Sequence, residues 1–134
     1  MAQAKIIWQP GSKTFIGIDS TNHSVVLSTP DEGVGMKPSE LLLVAVGSCT
    51  AVDVVNILEK KRFLLNSLEI EVSAEQEADP PWTFRKIHIH YKLRGTDLTE
   101  KAVEQAIQLS EEKYCSVSAT VRASAEISTS YEIL

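Results

Sequence analysis

The sequence predicts one α+β domain over residues 1–134, and three observations carry that prediction. Short alternating segments open and close the chain, an apolar helical run extends from Pro38 to about Lys61, and a second helical pattern with a narrower apolar face follows Asp97. A chain of 134 residues and 14.7 kDa sits near the commonest domain size, with room for a single core. With 43% hydrophobic and 23% charged residues, it has the composition of a packed core rather than of a disordered chain or a coiled coil.

The first elements are strands. Lys5 to Gln9 and Thr14 to Asp19 flank the turn signal Pro10-Gly11-Ser12-Lys13, and Ser24 to Ser28 follows Ser20-Thr21-Asn22-His23, so a β meander opens the fold. Thr29 to Lys37, with Pro30, Gly33 and Gly35, reads as a loop that delivers the chain to Pro38, a good first-turn residue of a helix. The helix begins with Leu41 to Val46, apolar around its whole circumference, which predicts burial on nearly every side. Gly47-Ser48 is its weak point and the expected place for a bend.

Two half-buried strands come next, Leu68 to Glu75 and Lys86 to Leu93, separated by Asp79-Pro80-Pro81-Trp82. An antiparallel hairpin places Ser73 opposite His88, Glu71 opposite His90 and Glu69 opposite Lys92, so acids face bases and the two histidines are expected to meet acids rather than a metal. Asp97 with Glu100 resembles a capping box ahead of Ala102, Val103, Ala106 and Ile107, giving an amphipathic helix that ends near Tyr114. Cys115 to Val121 reads as a short Ser-rich helical turn, and Ala125 to Ile133 alternates as a final strand.

Thirteen Lys and Arg against eighteen Asp and Glu leave a net charge of −5, without the basic stripe that nucleic acid or an anionic membrane would require. The longest apolar run, Leu41 to Val46, is far short of the ~20 residues of a membrane span, and residues 1–10 carry no signal-peptide segment. A cytoplasmic protein is expected. Two cysteines are too few for a disulfide scaffold or a zinc ribbon. A helix apolar on all sides needs more cover than one small sheet supplies, which predicts a homodimer.

Cys49 shares a helix face with Val52, Asp53 and Asn56, and a carboxylate one turn away raises a thiol pKa unless a cation offsets it. Cys115 directly follows the second helix. From the residues alone, each is either a small buried side chain or a working thiol. His88 and His90 provide two imidazoles on one strand face without a third ligand, so no metal site and no cofactor is expected.

The strings around both cysteines change that balance. Lys37-Pro38-Ser39-Glu40-Leu41-Leu42 leading through Gly47-Ser48-Cys49, together with Tyr114-Cys115-Ser116-Val117-Ser118 through Arg122, resembles the OsmC/Ohr family, the osmotically inducible and organic-hydroperoxide-resistance proteins. The resemblance covers most of the chain and is closest to a short, YhfA-like branch. It implies an OsmC-like fold, with antiparallel β-sheets wrapped around long central helices in an intertwined homodimer. It also implies a thiol peroxidase acting on organic hydroperoxides, in which Cys49 becomes a sulfenic acid, Cys115 condenses with it to a disulfide, and an external dithiol resets the pair. The family's peroxidases hold the thiolate with an Arg from the N-terminal strands and a Glu ten residues before the Cys. Here Ser39 stands at ten, Glu40 at nine, and no arginine precedes Arg62. Glu40 and Arg122, seven residues after Cys115, are the candidates for those duties. The alternative readings are a non-catalytic module of the same fold that binds a small apolar ligand, and a thiol redox sensor.

Overall fold

Turn chemistry sets the first three strands. In a computed structural model describing residues 2–134, β1 (Ala4–Gln9), β2 (Thr14–Asp19) and β3 (Ser24–Ser28) form an antiparallel sheet in the order β1-β2-β3. Gly11 at φ 86° closes the first turn, a left-handed conformation that only a residue without Cβ adopts freely. The second turn is built on Asp19, whose carboxylate accepts the backbone amides of Thr21 and His23, at 3.0 and 2.9 Å. Those bonds, the His23 amide foremost, hold its carboxyl below the ordinary value. After β3 the loop doubles back flush against the strand. A Cβ on Gly35 would lie 2.7 Å from the Val26 carbonyl oxygen, and the Met36 amide donates to that same oxygen.

The chain then enters α1 (Pro38–Lys60) as one continuous helix. It divides into two compact units, an N-terminal one up to Leu42 and a C-terminal one from Leu43. Helical structure runs unbroken through Gly47-Ser48. Gly47 serves close packing, because a Cβ there would sit 2.9 Å from Val72 Cγ2 on the sheet. Burial of α1 is one-sided rather than general. Val46, Thr50, Val54 and Leu58 are buried, whereas Val44 and Val52 are 47% and 59% exposed. By length and composition α1 is apolar enough to cross a bilayer, although no single apolar run in the sequence reaches that length. Its buried face packs into the core.

In the C-terminal unit, β4 (Leu64–Gln76) and β5 (Phe84–Thr96) pair antiparallel in the expected register, Ser73 to His88, Glu71 to His90 and Glu69 to Lys92. Both run longer than their alternating segments, and an irregularity between Leu65 and Ser67 marks where the alternation slips. Then come α2 (Glu100–Leu109), a π turn (Ser110–Tyr114), α3 (Ser116–Val121) and β6 (Glu126–Ile133). The cap of α2 is Thr99, whose side chain accepts the Ala102 amide, not Asp97. Asp97, at φ 58°, turns the chain out of β5 instead.

The expectation of purely antiparallel sheets fails at β6, which lies parallel to β5 in the sheet order β4-β5-β6. The reason is the connection. β5 and β6 are joined through α2 and α3, and a helical crossover returns the chain to the same end of the sheet, so the next strand runs parallel. Ile87, Ile89, Tyr91 and Leu93 of β5, buried at 0–1% exposure, meet Val46, Val54 and Leu58 of α1 and Val103, Ala106 and Ile107 of α2 in one core. Each such side chain contributes about 1.5–3 kcal/mol on leaving water.

Candidate active site

Three segments of the C-terminal unit supply the site. The first is the middle of α1. Heptad geometry turns Thr50 inward with Val46 and Val54 while Cys49, one residue back, stays half-buried at the edge of the core. The second is the π turn. It places Ser110 and Glu111 consecutively and returns the chain at Cys115, whose amide donates to the Ser110 carbonyl at 2.8 Å. The third is α3, whose first residues follow Cys115. There the Ser118 amide donates to Cys115 Sγ at 3.4 Å, as an N-terminal cap does.

Cys49 and Cys115, 66 residues apart in sequence, are both free thiols, and the two are near enough for Cys49 to raise the Cys115 thiol. They are not equivalent. Cys115 is 2% exposed and Cys49 half-buried. Burial pushes the Cys115 thiol above its ordinary pKa, and the neighbouring Cys49 adds to that, while the Ser118 hydroxyl and amide pull in the opposite direction.

The polar residues beneath the pair form a connected chain. Ser110 Oγ donates to Asp53 Oδ2 at 2.9 Å, Thr50 Oγ1 is 2.8 Å from Ser110 Oγ, and the Tyr91 hydroxyl is 2.8 Å from Thr50 Oγ1. Burial lifts the Tyr91 hydroxyl far above a phenol's ordinary pKa, so it stays protonated. On the other flank the Glu111 carboxylate takes the Ser118 hydroxyl at 3.3 Å and the Arg122 guanidinium at 3.0 Å. Burial raises the Glu111 carboxyl, and Arg122 is foremost among the groups opposing it.

Of the residues singled out from sequence, Cys49, Cys115 and Arg122 fall in this unit, with Arg122 held by Glu111. Glu40 lies in the N-terminal unit, in the first turn of α1, where Lys37 pairs with it at 3.3 Å. Sequence reasoning passed over Thr50, Ser110, Glu111 and Ser118. The available signal was spacing about the second cysteine, since Glu111 precedes Cys115 by one helical turn and Ser118 follows it by three residues.

His88 and His90 share one face of β5, but their rings do not turn to the acids of β4. His88 bonds Ser128 and Ser130 at 2.7 Å each, and His90 bonds Ser130 at 2.6 Å and Glu132 at 3.2 Å, all on β6. The register was right and the partner strand was not, because β6 closes on the other side of β5 and brings hydroxyls within reach. Lys92 alone takes the β4 acids, with Nζ 2.5 Å from Glu71 and 3.8 Å from Glu69.

A family model described as OsmC-like protein matches residues 29–130. Protein YhfA of Escherichia coli strain K12 is 35% identical over 132 residues, 98% of this chain and 98% of its own. A hypothetical protein from Aquifex aeolicus VF5 has a crystal structure that superposes with a TM-score of 0.89 at 34% identity, covering 100% of this chain and 96% of that one. The organic hydroperoxide resistance protein OhrB of Bacillus subtilis superposes with a TM-score of 0.64 at 14% identity over 98% of each chain, a likeness of fold.

Proposed function

We propose that this chain, which belongs to the OsmC-like family, is a two-cysteine thiol peroxidase that reduces organic hydroperoxides. The observation that carries the reading is the pairing of a half-exposed thiol, Cys49, with a buried one, Cys115. The half-exposed sulfur is the one a substrate can reach. Its thiolate attacks the peroxide oxygen remote from the organic group, the O–O bond breaks, the alcohol leaves with a proton, and Cys49 becomes a sulfenic acid. The Cys115 sulfur then attacks the Cys49 sulfur, the S–O bond breaks and water leaves. An external dithiol reduces the resulting disulfide and returns both thiols.

In this reading the protein works in a reducing cytoplasm as a homodimer, without nucleic acid or membrane. Val44 and Val52 on α1 are apolar surface that a second copy would cover. Glu40 and Arg122 are the charged groups assigned to the thiols by resemblance. One observation favours the alternative of a non-catalytic ligand-binding module: the Arg122 guanidinium is already engaged by Glu111.

The deciding experiment is stopped-flow consumption of tert-butyl hydroperoxide with a parallel thiol count, on wild type and Cys49→Ser. The peroxidase reading expects turnover with a dithiol present, loss of two thiols per chain without it, and no turnover in Cys49→Ser. A wild type that keeps both thiols and consumes no hydroperoxide would leave the binding module as the better description.

A further inference from the structure

Cys115 must lose a proton before or as its sulfur attacks, yet burial makes that loss unfavourable. The surroundings of the thiol contain a specific outlet. Ser118 is fully buried, its amide donates to the Cys115 sulfur at 3.4 Å, and its side chain lies near enough to oppose the burial that raises that thiol. The same hydroxyl donates to Glu111 Oε1 at 3.3 Å. Glu111 has a side chain only 11% exposed, and its second oxygen is held by Arg122. Beyond it, a groove of about 380 Å³ lined by Glu111, Arg122, Gln108 and Glu112 opens the carboxylate to water.

We propose that Ser118 and Glu111 are a proton relay for Cys115, a role that rests on the two-thiol reading and deepens it. As the Cys115 sulfur forms its bond to the Cys49 sulfur, the S–H proton passes to Ser118 Oγ and the Ser118 proton passes to Glu111. The Cys49 S–O bond breaks and its hydroxide takes a proton from solvent on the half-exposed side. Glu111 then releases its proton into the groove. One thiol and one sulfenic acid become one disulfide and one water, with no further oxidant.

The other ionisable groups around the pair do not compete. From α1, Asp53 is bound by Ser110. From β5, the Tyr91 hydroxyl stays protonated. From α3, Arg122 is a cation whose effect is to keep Glu111 ionised and able to accept. Cys49 itself is consumed by the oxidant.

The relay is testable without peroxide by using 5,5′-dithiobis(2-nitrobenzoate) on the reduced full-length chain. Cys49 attacks the reagent and releases one thionitrobenzoate. Cys115 then attacks the mixed disulfide and releases a second, so the second phase reports the proton loss of Cys115. Glu111→Gln should leave the first phase unchanged, slow the second roughly tenfold or more at neutral pH, and erase an inflection from its pH profile. Ser118→Ala should slow the second phase likewise. Arg122→Met should move the inflection to higher pH, since Glu111 loses its counter-charge, with the rate recovering as pH rises. Glu111→Asp should restore part of the rate. A second phase in Glu111→Gln with wild-type rate and pH profile overturns the relay. So does a wild type that releases one equivalent only. Should Glu111→Gln fail to fold, Ser118→Ala and Arg122→Met carry the same decision. A wild type that completes both phases yet ignores hydroperoxide sinks the peroxidase reading and leaves the relay standing.

Discussion

Two chains of hydrogen-bonded hydroxyls run through the C-terminal unit, one under the cysteines and one on the outer face of the sheet. The buried chain is Asp53, Ser110, Thr50 and Tyr91, and the outer one is Ser128, His88, Ser130, His90 and Glu132. Each is anchored at a carboxylate, and the anchor orients the rest. Because Ser110 donates to Asp53, Thr50 donates to Ser110 and Tyr91 to Thr50. With both rings neutral and His90 presenting its Nε2–H to Glu132, Ser130 donates to His90 Nδ1, His88 donates to Ser130, and Ser128 donates to His88 Nδ1. The connectivity is alike and the solvation is not. Water can replace a lost partner on the outer face, whereas Thr50 and Ser110, both at 0% exposure, have no substitute.

This contrast predicts unequal costs for equal chemistry. The largest is expected for Thr50→Val, which keeps the shape but deletes the middle hydroxyl, removes the acceptor of Tyr91 and costs about 2–3 kcal/mol in urea unfolding. A loss no larger than that of an outer-face variant would break the comparison. Tyr91→Phe removes the terminal donor and leaves Thr50 its bond to Ser110, so about 1 kcal/mol is expected in the same assay.

A pH-dependent effect belongs to the buried side as well. The folded-state pKa of Glu111 is raised, so the native chain binds its proton more tightly than the unfolded one. That contribution is fully present below the ordinary Glu value and is lost as pH rises through the raised one. Urea midpoints measured across this window should fall with rising pH in wild type and fall less in Glu111→Gln. Equal slopes would remove Glu111 from the account. The smallest effect is expected for Ser130→Ala on the outer face, within about 0.5 kcal/mol of wild type by thermal or urea unfolding.

The two chains also differ in how far they could be read from residues alone. On the outer face, period-two alternation fixes which side chains face out, and charge matching then fixes the β4–β5 register at Ser73, Glu71 and Glu69. Alternation does not say which edge a later strand joins, nor its direction. The placement of β6, and with it the partners of His88 and His90, therefore lay beyond the pattern. The buried chain gave less warning. Tyr91 and Ser110 lie 41 and 60 residues from Thr50 and sit among apolar neighbours, and small hydroxyls on helices carry no period of their own. Cys49 and Cys115 stood out through their resemblance to a family. Glu111 carries no signal of its own, because nothing in Ser110-Glu111-Glu112-Lys113-Tyr114 announces a π turn.

That turn sets a constraint on chain length. It holds one residue more per loop than an ordinary helix, with the Cys115 amide reaching back five positions to Ser110. Glu112, Lys113 and Tyr114 are exposed and have few bonds to lose, so substitutions there should be borne easily. Removing any one of them is different. The segment would relax to a regular helix, and Cys115 would be drawn back by about 1.5 Å and rotated by about 100° relative to α2. Ser118 and Arg122 would follow it, away from Glu111. Drift at these three positions should therefore be free in letter and fixed in number, with insertions and deletions excluded from a stretch whose side chains do nothing to forbid them.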